Sequence, residues 1–270
     1  MKTERIYKDQ LGREVVIPFP PRRIISVVPS QTELLFDLGL ADSVIGITKF
    51  CVHPAEWSTE KQQVGGTKKL HLDKIIQLQP DLVIANKEEN TEEDIRYLME
   101  HVPVWVSDIH SLAAAQEMIE SIGLMTDRLE QAKQITSSIS IKFSRLRNIT
   151  QKGRQLRTAY FIWRQPWMVA GGETFINNLM PYCGLQNVYA GLTRYPVVEK
   201  VSLRLLECEL LLLSSEPYPF KEKHIAELAE MVPGARIELV DGEMFSWYGS
   251  RLEKAAGYLE DLWKTLHNCE

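Results

Sequence analysis

Apolar and polar positions alternate along this chain in two rhythms, and their order predicts the fold. Ile6-Tyr7 and Val15-Val16-Ile17 flank the turn Asp9-Gln10-Leu11-Gly12, the pattern of a hairpin. Pro18, Pro20 and Pro21 close it, because proline removes a backbone donor. The run Ile24-Ile25-Ser26-Val27-Val28 predicts a strand, followed by a helix through Leu38 that Gly39 closes. Ser30 and Glu33 have the S-x-x-E spacing of a capping box at its start. Further strands are expected at Val44–Ile47, Leu82–Ala85 and Val104–Val106, with helices over Leu72–Leu78 and Glu92–Met99 between them. Strands that alternate with helices imply a parallel sheet.

From Ser111 to about Thr150 the strand signals stop. Two helices are expected there, interrupted at Gly123, the second running from a capping box at Asp127-x-x-Glu130 to Ile149. Its charges lie on several faces, as in a helix bridging two bodies. The α/β pattern then restarts: strands at Thr158–Trp163, Trp167–Ala170, Leu210–Leu213 and Arg236–Val240, a helix opened by Gly171-Gly172, another over His224–Met231, and a last one over Ser250–Leu266. The two halves echo each other. Ile75-Ile76-x-Leu78-x-x-Asp81-Leu82-Val83-Ile84 resembles Leu203-x-Leu205-Leu206-x-x-Glu209-Leu210-Leu211-Leu212. The expected organisation is an N-terminal lobe over 1–126, a connecting helix over 127–150 and a C-terminal lobe over 151–270.

Composition narrows the function. Hydrophobic residues make up 44% of the 270 positions, enough for a packed core and against disorder. Basic residues number 31 and acidic residues 36, a net charge of −5. That balance, with no basic stripe, argues against nucleic acid as a partner. No apolar run approaches the roughly 18–20 residues of a membrane span. Met1–Gln10 contains neither an apolar h-region nor a small-residue cleavage site. The chain as it stands is therefore expected in the cytoplasm, or outside it if a leader has been removed. Cys51, Cys183, Cys208 and Cys269 are scattered with no C-x-x-C pair, which indicates neither a zinc knuckle nor a disulfide framework.

Ligands of parallel sheets bind beyond the carboxyl ends of the strands, and two lobes facing each other would place those ends across one cleft. The loops that qualify carry Phe50, Cys51, His53, Asn86, Glu88, Trp163, Arg164, Trp167, Glu216, Tyr218, Trp247 and Tyr248. Cys51-x-His53 pairs a thiol with an imidazole, but zinc needs three or four ligands and a Cys-His nucleophile needs an orienting third group. His53 is the candidate metal ligand, with Glu88, Glu89 and Glu216 as candidates to complete a set. The same loop is the place for an enzyme alternative. Gly65-Gly66-Thr67-Lys68-Lys69 has the look of a phosphate cradle without the P-loop spacing. Arg251 offers a two-pronged clamp for an acidic ligand, or an ion pair at a helix start with Glu253 or Glu243.

Arg23–Glu33, Gly46 and Leu78–Ile84 resemble the first lobe of ABC-importer substrate-binding proteins of the helical-backbone metal receptor type. Gly171–Ile176 and Cys183–Tyr189 are similar to the second-lobe pattern of the cobalamin-binding branch. The resemblance spans nearly the whole chain. It implies two Rossmann-like α/β lobes with parallel sheets joined by one long rigid helix, and a monomer that captures a metal chelate: ferric siderophore, haem or corrinoid. No cofactor is implied, since the chelate is the ligand, and no catalysis. It further implies a permease partner docked through one acid on each lobe. The first-lobe position is Asp73; the second-lobe count reaches Val201, with Glu199 beside it. Phe50 matches an aromatic position of the cobalamin branch, while Thr67 and Asn86 stand where that branch has tryptophans. Aromatics at Phe50, Trp163, Trp167, Tyr195, Trp247 and Tyr248 would stack on the ligand, and Lys68, Arg164, Arg194 and Arg251 would meet its acidic groups. A cytosolic sensor or handover protein of the same fold, or a relative that binds another protein, are the alternatives.

Overall fold

The computed structural model describes residues 3–267, apart from the side chains of residues 200 and 205; Cys269 lies outside the described residues. The chain divides into two compact units. The first comprises 1–109, 113–138 and 248–251, the second 110–112, 139–247 and 252–270.

In the first unit, β1 (Thr3–Lys8) and β2 (Glu14–Phe19) form the expected antiparallel hairpin, with Pro18 inside β2 opposite Glu4. Its turn is pinned by Asp9, whose buried carboxylate accepts from the backbone N–H of Leu11 and Arg13 and from the Arg13 guanidinium. The main sheet contains β3 (Ile24–Ser26), β4 (Val44–Ile47), β5 (Gln62–Gln63), β8 (Leu82–Asn86) and β9 (Val104–Ser107). The strands are all parallel, in the order β5-β4-β3-β8-β9. Strands β6 (Gly65–Gly66) and β7 (Lys69–Leu70) make a separate small hairpin. The run Gly65–Lys69 is therefore a turn, in place of a cradle opening a helix. Helices α1 (Pro29–Asp37), α2 (Trp57–Glu60), α3 (Leu72–Gln77), α4 (Glu92–Met99) and α5 (Leu112–Met125) connect and cover the strands.

Two expected helix starts are corrected. Helix α1 begins at Pro29, which proline favours at a first helical position, and its cap residue Val28 makes no side-chain cap bond. Ser30 thus lies inside the helix, and Glu33 points elsewhere. Helix α6 (Leu129–Thr150) starts two residues later than the predicted box, because Asp127 turns the chain at φ +60°. Gly123 does not interrupt α5. It is the site where α6 approaches, since a Cβ there would collide with the side chain of Ala132.

In the second unit, β10 (Leu156–Trp163), β12 (Leu185–Asn187), β13 (Leu210–Ser214) and β14 (Arg236–Val240) are parallel, while β11 (Met168–Val169) is antiparallel to β10. All five residues of β13 are buried, as a continuous apolar strand in a parallel sheet requires. Helices α7 (Phe175–Leu179), α8 (Lys200–Leu205), α9 (Glu222–Met231), α10 (Glu243–Ser246) and α11 (Leu252–His267) complete the unit. Gly171-Gly172 do not open α7, whose N-cap is Thr174, accepting from Asn177 N. They lie against the backbone of Ala190–Arg194, and a Cβ on either would strike a carbonyl oxygen there.

The sequence echo is a structural one. Asp81 accepts from the backbone N–H of Arg22 and Arg23 ahead of β3, and Glu209 accepts from Arg157 N at the start of β10. The Arg23 guanidinium donates to the carbonyl of Leu78, and that of Arg157 to the carbonyl of Leu206. Each carbonyl ends a helix, α3 or α8, where unpaired C=O groups need donors. The next residues, Gln79 and Glu207, both adopt positive φ, 46° and 48°. One wiring diagram builds the entry to both sheets. Among the described residues, no helix is long and apolar enough to cross a membrane.

Candidate ligand site

In each unit the chain leaves the first strand of the main sheet toward both sides, β3 to β4 on one side and β8 on the other, and β10 to β12 on one side and β13 on the other. Loops at the carboxyl ends of such strands diverge and leave room for a ligand. In the first unit these loops are shaped by two asparagines. The Asn86 side chain accepts from Glu88 N at 2.8 Å and Glu89 N at 3.0 Å, and donates to the Ser107 carbonyl at 3.1 Å. Asn90 accepts from Asn86 N at 2.9 Å and donates to the carbonyls of Val27 at 3.1 Å and Thr67 at 3.0 Å. Asn86 is buried and consumed by this network. It positions the Glu88-Glu89 turn, and Asn90 ties three loops together.

A shallow cavity of about 690 Å³ opens beside them, lined among others by Lys49, Phe50, Gly66, Lys68, Lys69 and His71. Phe50 is 51% exposed. Its ring packs over Gly66, where a Cβ would come within 3.0 Å of it, and the Lys49 ammonium lies 5.0 Å from the ring centroid. Lys68 donates to the Glu88 carbonyl. Lys49 and His71 escaped sequence reasoning, because the expected loop began at Phe50 and the Gly65–Lys69 run ended before His71.

Cys51 turns inward. Its thiol is buried between the hydroxyls of Thr32 at 3.0 Å and Thr48 at 3.2 Å, and burial pushes its pKa up. A low-pKa, accessible thiolate is what nucleophilic chemistry needs, and this site provides the reverse. His53 and Thr67 are half-buried. Among the described residues no three His, Cys, Asp or Glu side chains gather in a metal-holding set. Glu89 is half-buried, and desolvation raises its carboxyl above the usual range despite the nearby Lys68.

The second unit's loops hold an aromatic cluster. Trp163, 39% exposed, meets Tyr218 edge-on at 5.6 Å, and Tyr218 meets Phe220 at 4.8 Å. Trp167 is half-buried, stacks on Phe220 at 6.1 Å and packs against the hydrophobic core. Arg164 is bound to Glu227 at 2.9 Å. Glu216 accepts from the indole N–H of Trp247 at 3.0 Å and from Ser246 Oγ at 2.7 Å. Trp247 and Tyr248 are buried. Arg194 is exposed, and Tyr195 is half-buried. Arg251 is buried in the first unit with both prongs on Glu33, a partner the local sequence did not suggest. Phe50, Lys68, Trp163 and Arg194 are thus the candidates that face solvent.

The strand-end loops of both units thus carry aromatic and basic side chains. The sequence profile of the periplasmic binding protein family matches residues 24–199, and the chain belongs to that family. Among curated relatives it is similar to the vitamin B12-binding protein of Vibrio campbellii, 24% identical over 72% of this chain and 71% of that one. It is also similar to an uncharacterized ABC transporter substrate-binding lipoprotein of Bacillus subtilis, 28% identical over 68% and 61%. Its fold matches the periplasmic vitamin B12 binding protein BtuF of Vibrio cholerae, with TM-score 0.79, 19% identity and coverage of 92% and 98%. The periplasmic heme-binding protein RhuT from Roseiflexus gives TM-score 0.77, 19% identity and coverage of 90% and 98%.

Proposed function

We propose that this protein is the substrate-binding component of an ABC-type importer and captures a metal chelate: a ferric siderophore, haem or a corrinoid. The match of the periplasmic binding protein family over residues 24–199 carries the proposal. The names of the relatives, which bind vitamin B12 or serve ABC transport, support it. Family membership also supports a place outside the cytoplasm, where such a receptor meets its ligand. The lobes are taken as 1–126 and 151–270, with 127–150 connecting them. Phe50, Lys68, Trp163 and Arg194 are the residues proposed to touch ligand, being exposed on strand-end loops. Aromatic faces suit a large, partly apolar chelate. His53, Thr67, Glu88, Tyr195 and Tyr218 are proposed as flanking groups.

Permease docking is proposed through Asp73 in the first turn of α3 and Glu199 at the N-cap of α8, both exposed. Asp73→Lys with Glu199→Lys should then abolish stimulation of the permease ATPase while leaving ligand affinity intact.

The experiment is calorimetric titration of the purified protein with haemin, ferric siderophores, cyanocobalamin and cobinamide. Saturable binding of one class at about micromolar Kd or better, near −8 kcal/mol, supports the function. A folded protein that binds none of them refutes it.

A further inference from the structure

We infer that the first unit's cavity selects anionic chelates over neutral and cationic ones, a specificity that rests on the chelate-binding function proposed above. The cavity is lined by three lysines, Lys49, Lys68 and Lys69, with the imidazole of His71 and the ring of Phe50, and among the described residues that line it none carries a carboxylate. All three lysine side chains are exposed, so they meet a ligand without being dug out of the core.

Two of the three are held in place. Lys68 is tethered through the Glu88 carbonyl, which takes one of its three ammonium donors and leaves the others. Lys49 sits by the face of Phe50, an attraction that orients an ammonium without neutralising it. Asp94, a nearby acid, is engaged elsewhere, accepting from Leu70 N on the far strand of the small hairpin. Glu89 lies where desolvation raises its carboxyl above the usual range, with Lys68 opposing.

A concave wall with one sign of charge concentrates ligands of the opposite sign. Phe50 supplies a contact indifferent to charge, so the lysines set preference and the ring sets common affinity.

The test is calorimetry with three probes: a ferric tris-catecholate, which is strongly anionic; cyanocobalamin, which has no net charge; and ferrioxamine B, which is cationic. At low salt the tris-catecholate should bind at least about tenfold more tightly than the others. That margin should shrink as salt is raised to roughly 0.5 M, where screening reaches only a few ångströms. The triple variant Lys49→Gln, Lys68→Gln, Lys69→Gln should erase the margin, while Phe50→Ala should weaken every bound probe by a similar factor. Melting curves matched to the parent establish that the variants fold. Equal or tighter binding of cyanocobalamin or ferrioxamine B overturns the inference and leaves the receptor function standing, as does a triple variant that keeps the preference. Binding of no probe overturns both.

Discussion

Glu33 and Arg251 lie 218 positions apart and meet as a buried two-pronged ion pair, Nε to Oε2 at 2.7 Å and Nη2 to Oε1 at 3.0 Å. Both belong to the first unit, although the residues flanking the Tyr248–Arg251 tetrapeptide belong to the second. The pair thus fixes an isolated stretch of chain onto α1, and Gly249 sits against the Ser30 carbonyl, where a Cβ would come within 2.8 Å. Removing one partner leaves the other charge buried without its two-pronged counterpart. Arg251→Met should cost about 3–5 kcal/mol of stability, and Glu33→Leu combined with Arg251→Met should cost less than Arg251→Met alone. Denaturant unfolding of the single and double variants measures this. Additive losses would show that the two residues do not act as a pair.

Gln79 and Glu207 occupy equivalent turns with left-handed backbone, a conformation that side chains with a Cβ resist. Gln79→Gly and Glu207→Gly should each raise stability by up to about 1 kcal/mol, because glycine adopts this conformation freely. Thermal melts of the two variants should shift upward in parallel. A fall in either would mean that the side chain contributes more than its backbone costs.

The buried thiols make a pH prediction. Burial pushes Cys208 up to about 11, with Arg157 opposing, and raises Cys51 and Cys183 as well. The unfolded chain ionises its thiols near 9, so it releases protons before the folded state does. The stability contributed by the raised Cys208 is present below pH 9 and declines toward about pH 11, at roughly 1.4 kcal/mol per pH unit. Tyr160, Tyr189 and Tyr258 are shifted upward by burial too and add to the same alkaline slope. Cys208→Ala should flatten the decline of denaturation midpoint between pH 9 and 11. In a Cys269→Ser background, a thiol reagent at pH 8 should label the native protein only at the rate at which it opens.

Glu89 is the acid whose ionisation the fold opposes. Its folded pKa is raised, so the associated stability is present below about pH 4.5 and is lost as pH rises through the higher folded value. Glu89→Gln should therefore stabilise the protein at pH 7, by up to about 1 kcal/mol. The gain should vanish at pH 4. A loss at pH 7 would show that attraction to Lys68 outweighs desolvation.

Much of the architecture was legible because parallel strands buried on both faces must be apolar throughout. Leu82–Ala85 and Leu210–Leu213 announced themselves this way, and the acid three residues after each helix end marked the repeated turn. What local pattern could not decide was which polar groups meet. The S-x-x-E spacing at Ser30 is a valid cap on paper, but Pro29 takes the first helical position and a distant arginine claims Glu33. Glycines at 123, 171 and 172 looked like punctuation, yet each is a place where another segment comes too close for a Cβ. Asn86 and Arg251 looked like ligand contacts and are consumed by partners 21 and 218 residues away. The sequence by itself determined the alternation of the main strands and helices, the repeated helix-to-strand turn and the basic, aromatic character of the loops, since these follow from periodicity and composition. Only the tertiary structure decided which of those side chains remain exposed, because a buried hydrogen-bonding group must find a partner wherever the fold supplies one.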